Sequence, residues 1–254
     1  MIQEFYYGSS WHWPLPYLPK VMLSYNMIRT RKKPWDIQIP FMMDSGAFAV
    51  ILNYKTYFWT VETYAKAIEL WKPDVAWTMD YPCEPSVRRE GSYSSYEAQE
   101  KTNANTARLM ELGIDVSNVV QGWTLDEYVR NLDQIKANGL MTERLAIGSI
   151  CRRGKTQQIA RIIREIKRNT PGWVKLHGFG VKTSILETDA KHNLFSADSQ
   201  SWDIEKRHYS WTKNNNKGLI WKDKVPMLQE YVEKIEAYLN PPETTLIHFM
   251  EVEA

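Results

Sequence analysis

Three aspartates stand where an apolar run breaks off: Asp44 after PFMM, Asp80 after VAWTM and Asp198 after LFSA. Other runs break off in polar or small residues, at Gln121-Gly122, Gly148-Ser149 and Gly178/Gly180, with His177 just before. A single aspartate in such a place is ordinarily a helix cap or a turn residue. A series of such ends is harder to explain by capping, because carboxylates gathered on one rim repel each other and lose solvation. Such a rim could break an N-glycosidic bond. One carboxylate would trap the sugar covalently, and a second would protonate the departing base and deprotonate its replacement. A third carboxylate could accept hydrogen bonds from N1–H and the exocyclic amine of a guanine-like base, with Gln or backbone N–H groups at its O6.

Eight short apolar or β-branched runs would have to carry these groups: 5–9, 21–25, 40–44, 75–80, 118–122, 144–149, 174–180 and 194–198. Helical spacing lies between the later ones, in Val61/Tyr64/Ala65/Ile68/Trp71, Leu125/Tyr128/Val129/Leu132/Ile135 and Ile159/Ile162/Ile163/Ile166. A last helix is expected over about 226–239, with Met227, Tyr231, Val232, Ile235 and Tyr238 on one stripe. Strands alternating with helices in this number predict a closed (β/α)8 TIM barrel, an α/β fold in a single domain over 1–254. The strand ends and the loops 84–95 and 200–218 would then share the C-terminal face. WHWPLPYLP, between the first two strands, is too Pro-rich for a long helix.

Composition bounds the rest. The chain has 254 residues, 43% apolar, enough for one large core. With 32 basic and 30 acidic residues, phosphate contacts would have to come from local clusters. Most of the 11 Trp and 14 Tyr rings are expected in packing rather than on bases. Cys83 and Cys151, the two cysteines, are expected to be reduced thiols; they cannot build a Cys-rich zinc site. No run approaches the ~20 apolar residues of a membrane span, and the N-terminal residues lack a signal-peptide pattern. A soluble, cytoplasmic protein is expected, in the host if viral.

DSGAF (44–48), TMDYPCEP (78–85), VVQGWTLDEY (119–128), IGSICRRG (147–154), LHGFGVK (176–182) and SADSQSW (196–202) together resemble the tRNA-guanine transglycosylase superfamily. The likeness is greatest to its DpdA-type branch, which inserts 7-deazaguanines into DNA. The resemblance implies a pentosyltransferase. Asp198 would be the nucleophile, Asp44 the general acid/base and Asp80 the reader of the guanine edge. Gln121 would bind the base, the Gly148 backbone would approach it with Ser149 beside it, and Ser45 and Phe48 would help wall the pocket. The zinc subdomain of the tRNA enzymes has no counterpart, since residues 199–254 contain no Cys; no cofactor or metal is expected.

Several assignments stay open. Asp80 could instead pair with Arg88 or Arg89. Arg152, Arg153 and Lys155 could hold a phosphate or be a solvated run. Arg29, Arg31, Lys32 and Lys33 form the densest basic cluster and could do either. Arg207 and His208 are weaker candidates, and Lys182 could meet phosphate or a rim carboxylate. His177 is expected to be a packed histidine. The expected partners are DNA and a 7-deazaguanine base, with tRNA the alternative polymer and a non-catalytic nucleic-acid-binding subunit the alternative role. Since a base in a duplex must be unstacked, a helper protein that opens DNA is also expected.

Overall fold

The computed structural model describes residues 2–88, 93–202 and 221–241. Arg89, Arg207 and His208 lie outside them. Eight parallel strands run as β1 (Glu4–Ser9), β2 (Val21–Ser24), β3 (Phe41–Asp44), β4 (Val75–Ala76), β5 (Asn118–Val120), β6 (Arg144–Ile147), β7 (Lys175–Gly178) and β8 (Ser196–Ser199). Each falls within or against a run expected from the sequence. The hydrogen-bonded order is β4-β3-β2-β1-β8-β7-β6-β5. A single parallel bridge, Trp77 with Ser117, joins the chain after β4 to the chain before β5. The architecture is α/β and TIM-like.

The inner side of this curled sheet shows why the strands are short. Tyr6, Met22, Met42, Val75, Val119 and Ala146, one from each of the first six strands, pack together with Trp77 and Phe179. The seventh and eighth strands place polar groups there instead: His177, Ser196 and Asp198 are all buried. Alternate residues such as Phe5, Tyr7, Leu23, Met43, Leu145 and Leu176 face outward into the main core with the helices.

The helices that matter here are α1 (Tyr25–Ile28), α2 (Ala47–Tyr54), α3 (Val61–Trp71), α4 (Ser95–Glu111), α5 (Leu125–Ala137), α6 (Thr156–Asn169), α7 (Thr183–Leu186) and α8 (Trp221–Leu239). α3, α5 and α6 bury the stripes that their spacing predicts. α4 and α5 each start on a capping box, Ser94 with Glu97 and Thr124 with Glu127. α8 begins before the expected 226 and carries Pro226. The Pro-rich stretch after β1 holds only a 3-10 turn, Leu15–Tyr17.

α4 had no apolar stripe to announce it, because its buried face is polar. Gln99, Thr102, Asn103 and Thr106 are buried along it. Of these, Gln99, Thr102 and Thr106 orient strand ends. Thr106 Oγ1 lies 2.9 Å from both Thr78 Oγ1 and Asn118 Oδ1. The Tyr81 N–H donates to Thr102 Oγ1 at 2.9 Å, and Gln99 Nε2 donates to the Gln121 carbonyl at 2.7 Å. The run 75–80 predicts a longer fourth strand than the two residues of β4. The Thr78 N–H still reaches the Ser117 carbonyl at 3.0 Å, after which the chain leaves the ladder and α4 takes over, Asn105 donating to the Met79 carbonyl and Thr102 accepting from the Tyr81 N–H.

Candidate active site

At the C-terminal ends of the strands lies a cavity of about 600 Å³. Strands β1, β2, β3 and β8 contribute to its wall directly, and the chain following each of β4, β5, β6 and β7 contributes Asp80, Gln121, Gly148 and Phe179.

Asp44 ends β3. The Gly46 N–H donates to its Oδ2 at 3.0 Å, closing the Asp-Ser-Gly turn. Gly46 has φ +82°, and a Cβ there would lie 2.5 Å from Ser24 Oγ and 2.6 Å from Asn26 Cβ, so only glycine fits. The Asp44 carboxyl is pushed up to about 7, first by burial and then by the negative charge of Asp198.

Asp198 is buried on β8. Its Oδ1 accepts from the Gly180 N–H at 2.9 Å and lies 3.2 Å from His177 Nε2. Because the carboxylate can only accept, Nε2 carries the hydrogen, and Nδ1 accepts from Ser196 Oγ at 2.9 Å. His177 is fully buried, its ring 4.8 Å from that of Trp77 and 5.2 Å from that of Phe179. It is the packed histidine expected, and it also holds Asp198. Both contacts fall on Oδ1 and neither on Oδ2.

Asp80 sits deeper. Its Oδ2 accepts from Gln121 Nε2 in a short hydrogen bond, and Ser45 Oγ lies 3.3 Å from its Oδ1. Tyr57 Oη donates to the Asp80 carbonyl at 2.8 Å and meets Ser45 Oγ at 2.9 Å. The carboxyl is pushed up to about 8 by burial and by the charges of Asp44 and Glu84. Arg88, a possible partner for Asp80, donates instead to the Cys83 carbonyl at 2.8 Å.

Gln121 is held at both ends of its amide, with Oε1 2.7 Å from Ser149 Oγ. The amide lies flat on Gly148, where a Cβ would come within 2.3 Å of Nε2 and 2.5 Å of Cδ. Ser149 takes a left-handed φ of +55°, which turns its hydroxyl back toward Gln121 and Glu84.

The cavity therefore brings together Asp44, Phe48, Asp80, Gln121, Gly148, Ser149, Arg152, Lys182 and Asp198, with Ser45 buried behind the wall. Arg152 is exposed at the mouth, its guanidinium 4.7 Å from the Phe48 ring centre. Arg153 is a correction to the basic run. It is buried, donates to the carbonyls of Ser149 (3.1 Å) and Trp123 (2.7 Å), and stacks on the Trp123 ring at 4.1 Å. Its guanidinium is held inside the fold on backbone carbonyls and is not exposed at the mouth as Arg152 is. Lys155 is exposed at the start of α6, away from the cavity wall. Arg29 and Arg31 lie over the rings of Phe58 and Trp35, both at 4.5 Å, and Lys32 and Lys33 are exposed beside them.

Glu84 was not singled out from the sequence as a site residue. It is buried on the cavity wall, bonded to Ser149, and burial pushes its carboxyl up. Tyr57, behind Asp80, was likewise missed. A Glu in a polar loop and a Tyr in an aromatic-rich chain carry no local signal of either placement.

The sequence matches the family model described as "DpdA: DeoxyPurine in DNA protein A" over residues 4–219. The chain belongs to the DpdA family. This is the DNA 7-deazaguanine transglycosylase branch of the TGT-like superfamily. No curated protein matches the chain. DpdA membership points to a transglycosylase acting on guanine in DNA. The match spans all eight strands and every cavity residue named above. Among the described residues no helix of this DpdA chain is long and apolar enough to cross a membrane, and no cluster of His, Cys, Asp or Glu is arranged to hold a metal ion.

Proposed function

We propose that this DpdA protein exchanges a guanine in DNA for a 7-deazaguanine through an ester between Asp198 and C1′ of the deoxyribose. The observation that carries the reading is the pairing of Asp44 with Asp198 on one cavity, close enough for the charge of one to raise the other.

An Asp198 oxygen attacks C1′ as the bond from C1′ to guanine N9 breaks, and the departing guanine takes a proton from Asp44. The 7-deazaguanine then enters and gives its N9 proton to the Asp44 carboxylate. Its N9 attacks C1′, the ester breaks, and Asp198 is regenerated as a carboxylate. Atoms and protons balance without a cofactor. Two inversions at C1′ retain configuration. A carboxyl near 7 suits a group that gives and then takes a proton. Asp80 accepts from the N1–H and amine edge of the base, and Gln121 and Ser149 stand beside it. Phe48 covers the mouth, where Arg152 and Lys182 meet the DNA backbone.

Closing the sheet at the Trp77–Ser117 bridge gives a single eight-stranded barrel with this face as its opening. The zinc subdomain has no place in the reading, since residues 199–254 carry no Cys. Unstacking the target guanine from a duplex costs a few kcal/mol, roughly, so a protein that opens DNA, or an already single-stranded region, would assist.

The test is nucleoside mass spectrometry after incubating the chain with duplex DNA, single-stranded DNA or tRNA and 7-cyano- or 7-aminomethyl-7-deazaguanine. The expected result is a 7-deazaguanine deoxynucleoside in DNA, with a denaturation-resistant DNA–protein adduct that disappears in Asp198→Ala. Incorporation into tRNA alone, or abasic sites without incorporation, overturns the reading.

A further inference from the structure

The hydrogen bonds around Ser149 close only if a neighbouring carboxyl is protonated. Ser149 Oγ accepts from the Cys83 N–H at 2.8 Å. It also lies 2.7 Å from Glu84 Oε2 and 2.7 Å from Gln121 Oε1. The hydroxyl has one hydrogen and cannot donate to both oxygens. If Gln121 points its oxygen at Ser149, then Glu84 must be the donor to Ser149 and carries a proton. If the Gln121 amide is turned over, its nitrogen donates to Ser149 and Ser149 donates to Glu84. The Gln121 oxygen then faces Asp80 Oδ2, and Asp80 must carry the proton. Either arrangement places a proton on one end of the chain Glu84, Ser149, Gln121, Asp80. A buried polar row left with two acceptors facing each other would be strongly disfavoured.

At the Asp80 end the other donors are its own backbone N–H and two hydroxyls, and none of them places a hydrogen between Oδ2 and a Gln121 oxygen. The Tyr57 hydroxyl hydrogen is spent on the Asp80 carbonyl, and the Ser45 hydrogen is shared between Tyr57 and the more distant Asp80 Oδ1. Around Glu84 the facing groups are the Cys151 thiol, 3.9 Å from Oε1, and the guanidinium groups of Arg152 and Arg153. Arg153 is already committed to two carbonyls. Asp44 and Glu84 are the charges that act on Asp80.

We propose that Asp80 and Glu84 hold one proton between them, and that Glu84 is a positioning residue which carries it while Asp80 is ionised to receive the guanine edge. The proposal rests on the base-reading role of Asp80 given above. The two states differ by which carboxyl is protonated and by a half-turn of the Gln121 amide, so base binding moves a proton within the protein and releases none.

The test is carboxyl-carbon NMR on the full chain labelled with 13C at Asp and Glu side chains. In the ligand-free protein at pH 7 the two carboxyls are expected to carry one proton in sum and to titrate in two linked steps. In Glu84→Gln, whose amide can serve Ser149 in either orientation, Asp80 is expected to titrate in one step. Added guanine is expected to move the Asp80 signal to its ionised position and the Glu84 signal to its protonated one. A sum of zero or two protons in the free wild type overturns the proposal, as does an Asp80 titration unchanged in Glu84→Gln. Guanine that shifts pocket resonances but leaves the two carboxyls as they were also overturns it. Guanine that shifts no pocket resonance overturns the base-reading role instead, and the proton count in the free protein still decides whether the pair shares its proton.

Discussion

His177 Nε2 stands 3.2 Å from Asp198 Oδ1, on the same oxygen that the Gly180 N–H reaches at 2.9 Å. This pairing leaves Oδ2 as the oxygen with which Asp198, as the proposed nucleophile, would attack. A hydrogen bond to a charged group contributes about 1.5–3 kcal/mol. His177→Phe keeps an aromatic ring between Trp77 and Phe179 and removes that bond. The rate of DNA–protein adduct formation is expected to fall about 10- to 100-fold, with far-UV circular dichroism unchanged. Adduct formation at the wild-type rate would show that His177 does nothing but pack.

With Asp44 as the proposed acid, its raised carboxyl should make guanine release depend on pH. As the acid, Asp44 must hold its proton, so single-turnover adduct formation is expected to decline as pH rises through about 7. Asp44→Asn should abolish adduct formation at every pH. Rates that keep rising from pH 7 to 9 would exclude Asp44 as the acid.

Buried carboxyls held above their ordinary range also leave a mark on stability. Asp80 sits near 8 in the fold against 3.8 for an ordinary Asp. Its contribution is therefore fully present below about 4 and is lost as pH rises through about 8. Asp80→Asn is expected to melt higher than the wild type at pH 9, by on the order of 1–3 kcal/mol or roughly 3–10 °C, and to lose that advantage at pH 4. Thermal melts at the two pH values check this. The same variant should lose affinity for guanine.

Gly148 leaves room for the Gln121 amide. Gly148→Ala would press a methyl group against it at 2.3–2.5 Å and displace it from Asp80. The expected effect is a rise of about 10- to 100-fold in KM for the incoming base, from the lost charge-assisted hydrogen bond. Steady-state kinetics with varied 7-deazaguanine measure it. An unaltered KM would mean that Gln121 does not help to bind the base.

Adjacent arginines should behave differently. Arg153→Ala removes a buried guanidinium bonded to two carbonyls and is expected to destabilise the fold by about 2–3 kcal/mol in denaturant titrations. Arg152→Ala should leave stability within about 0.5 kcal/mol. It should weaken DNA binding and reduce the slope of log affinity against log salt by about one. Equal effects of the two on stability would contradict their placement.

Local pattern carried much of this protein. The strands announce themselves because alternation and short apolar runs are properties of neighbours in the chain. A parallel sheet places every strand's C-terminal end on one face, so Asp44, Asp80, Gln121 and Asp198 were legible as a set. α4 was not, because its buried face carries Gln, Thr and Asn in place of an apolar stripe, and Gln99, Thr102 and Thr106 hydrogen-bond to the strand ends. Glu84 meets Ser149 across 65 positions, and Gln121 meets Asp80 across 41. No periodicity encodes such contacts, since they depend on where separate loops converge. The same holds for Arg152 and Arg153, identical in type and adjacent in sequence, of which the fold exposes one and buries the other. Residue chemistry and order were decided by the sequence alone. Which carboxyls share a wall, and therefore which of them keep a proton near neutral pH, was decided by burial and by charges that only the folded chain brings together.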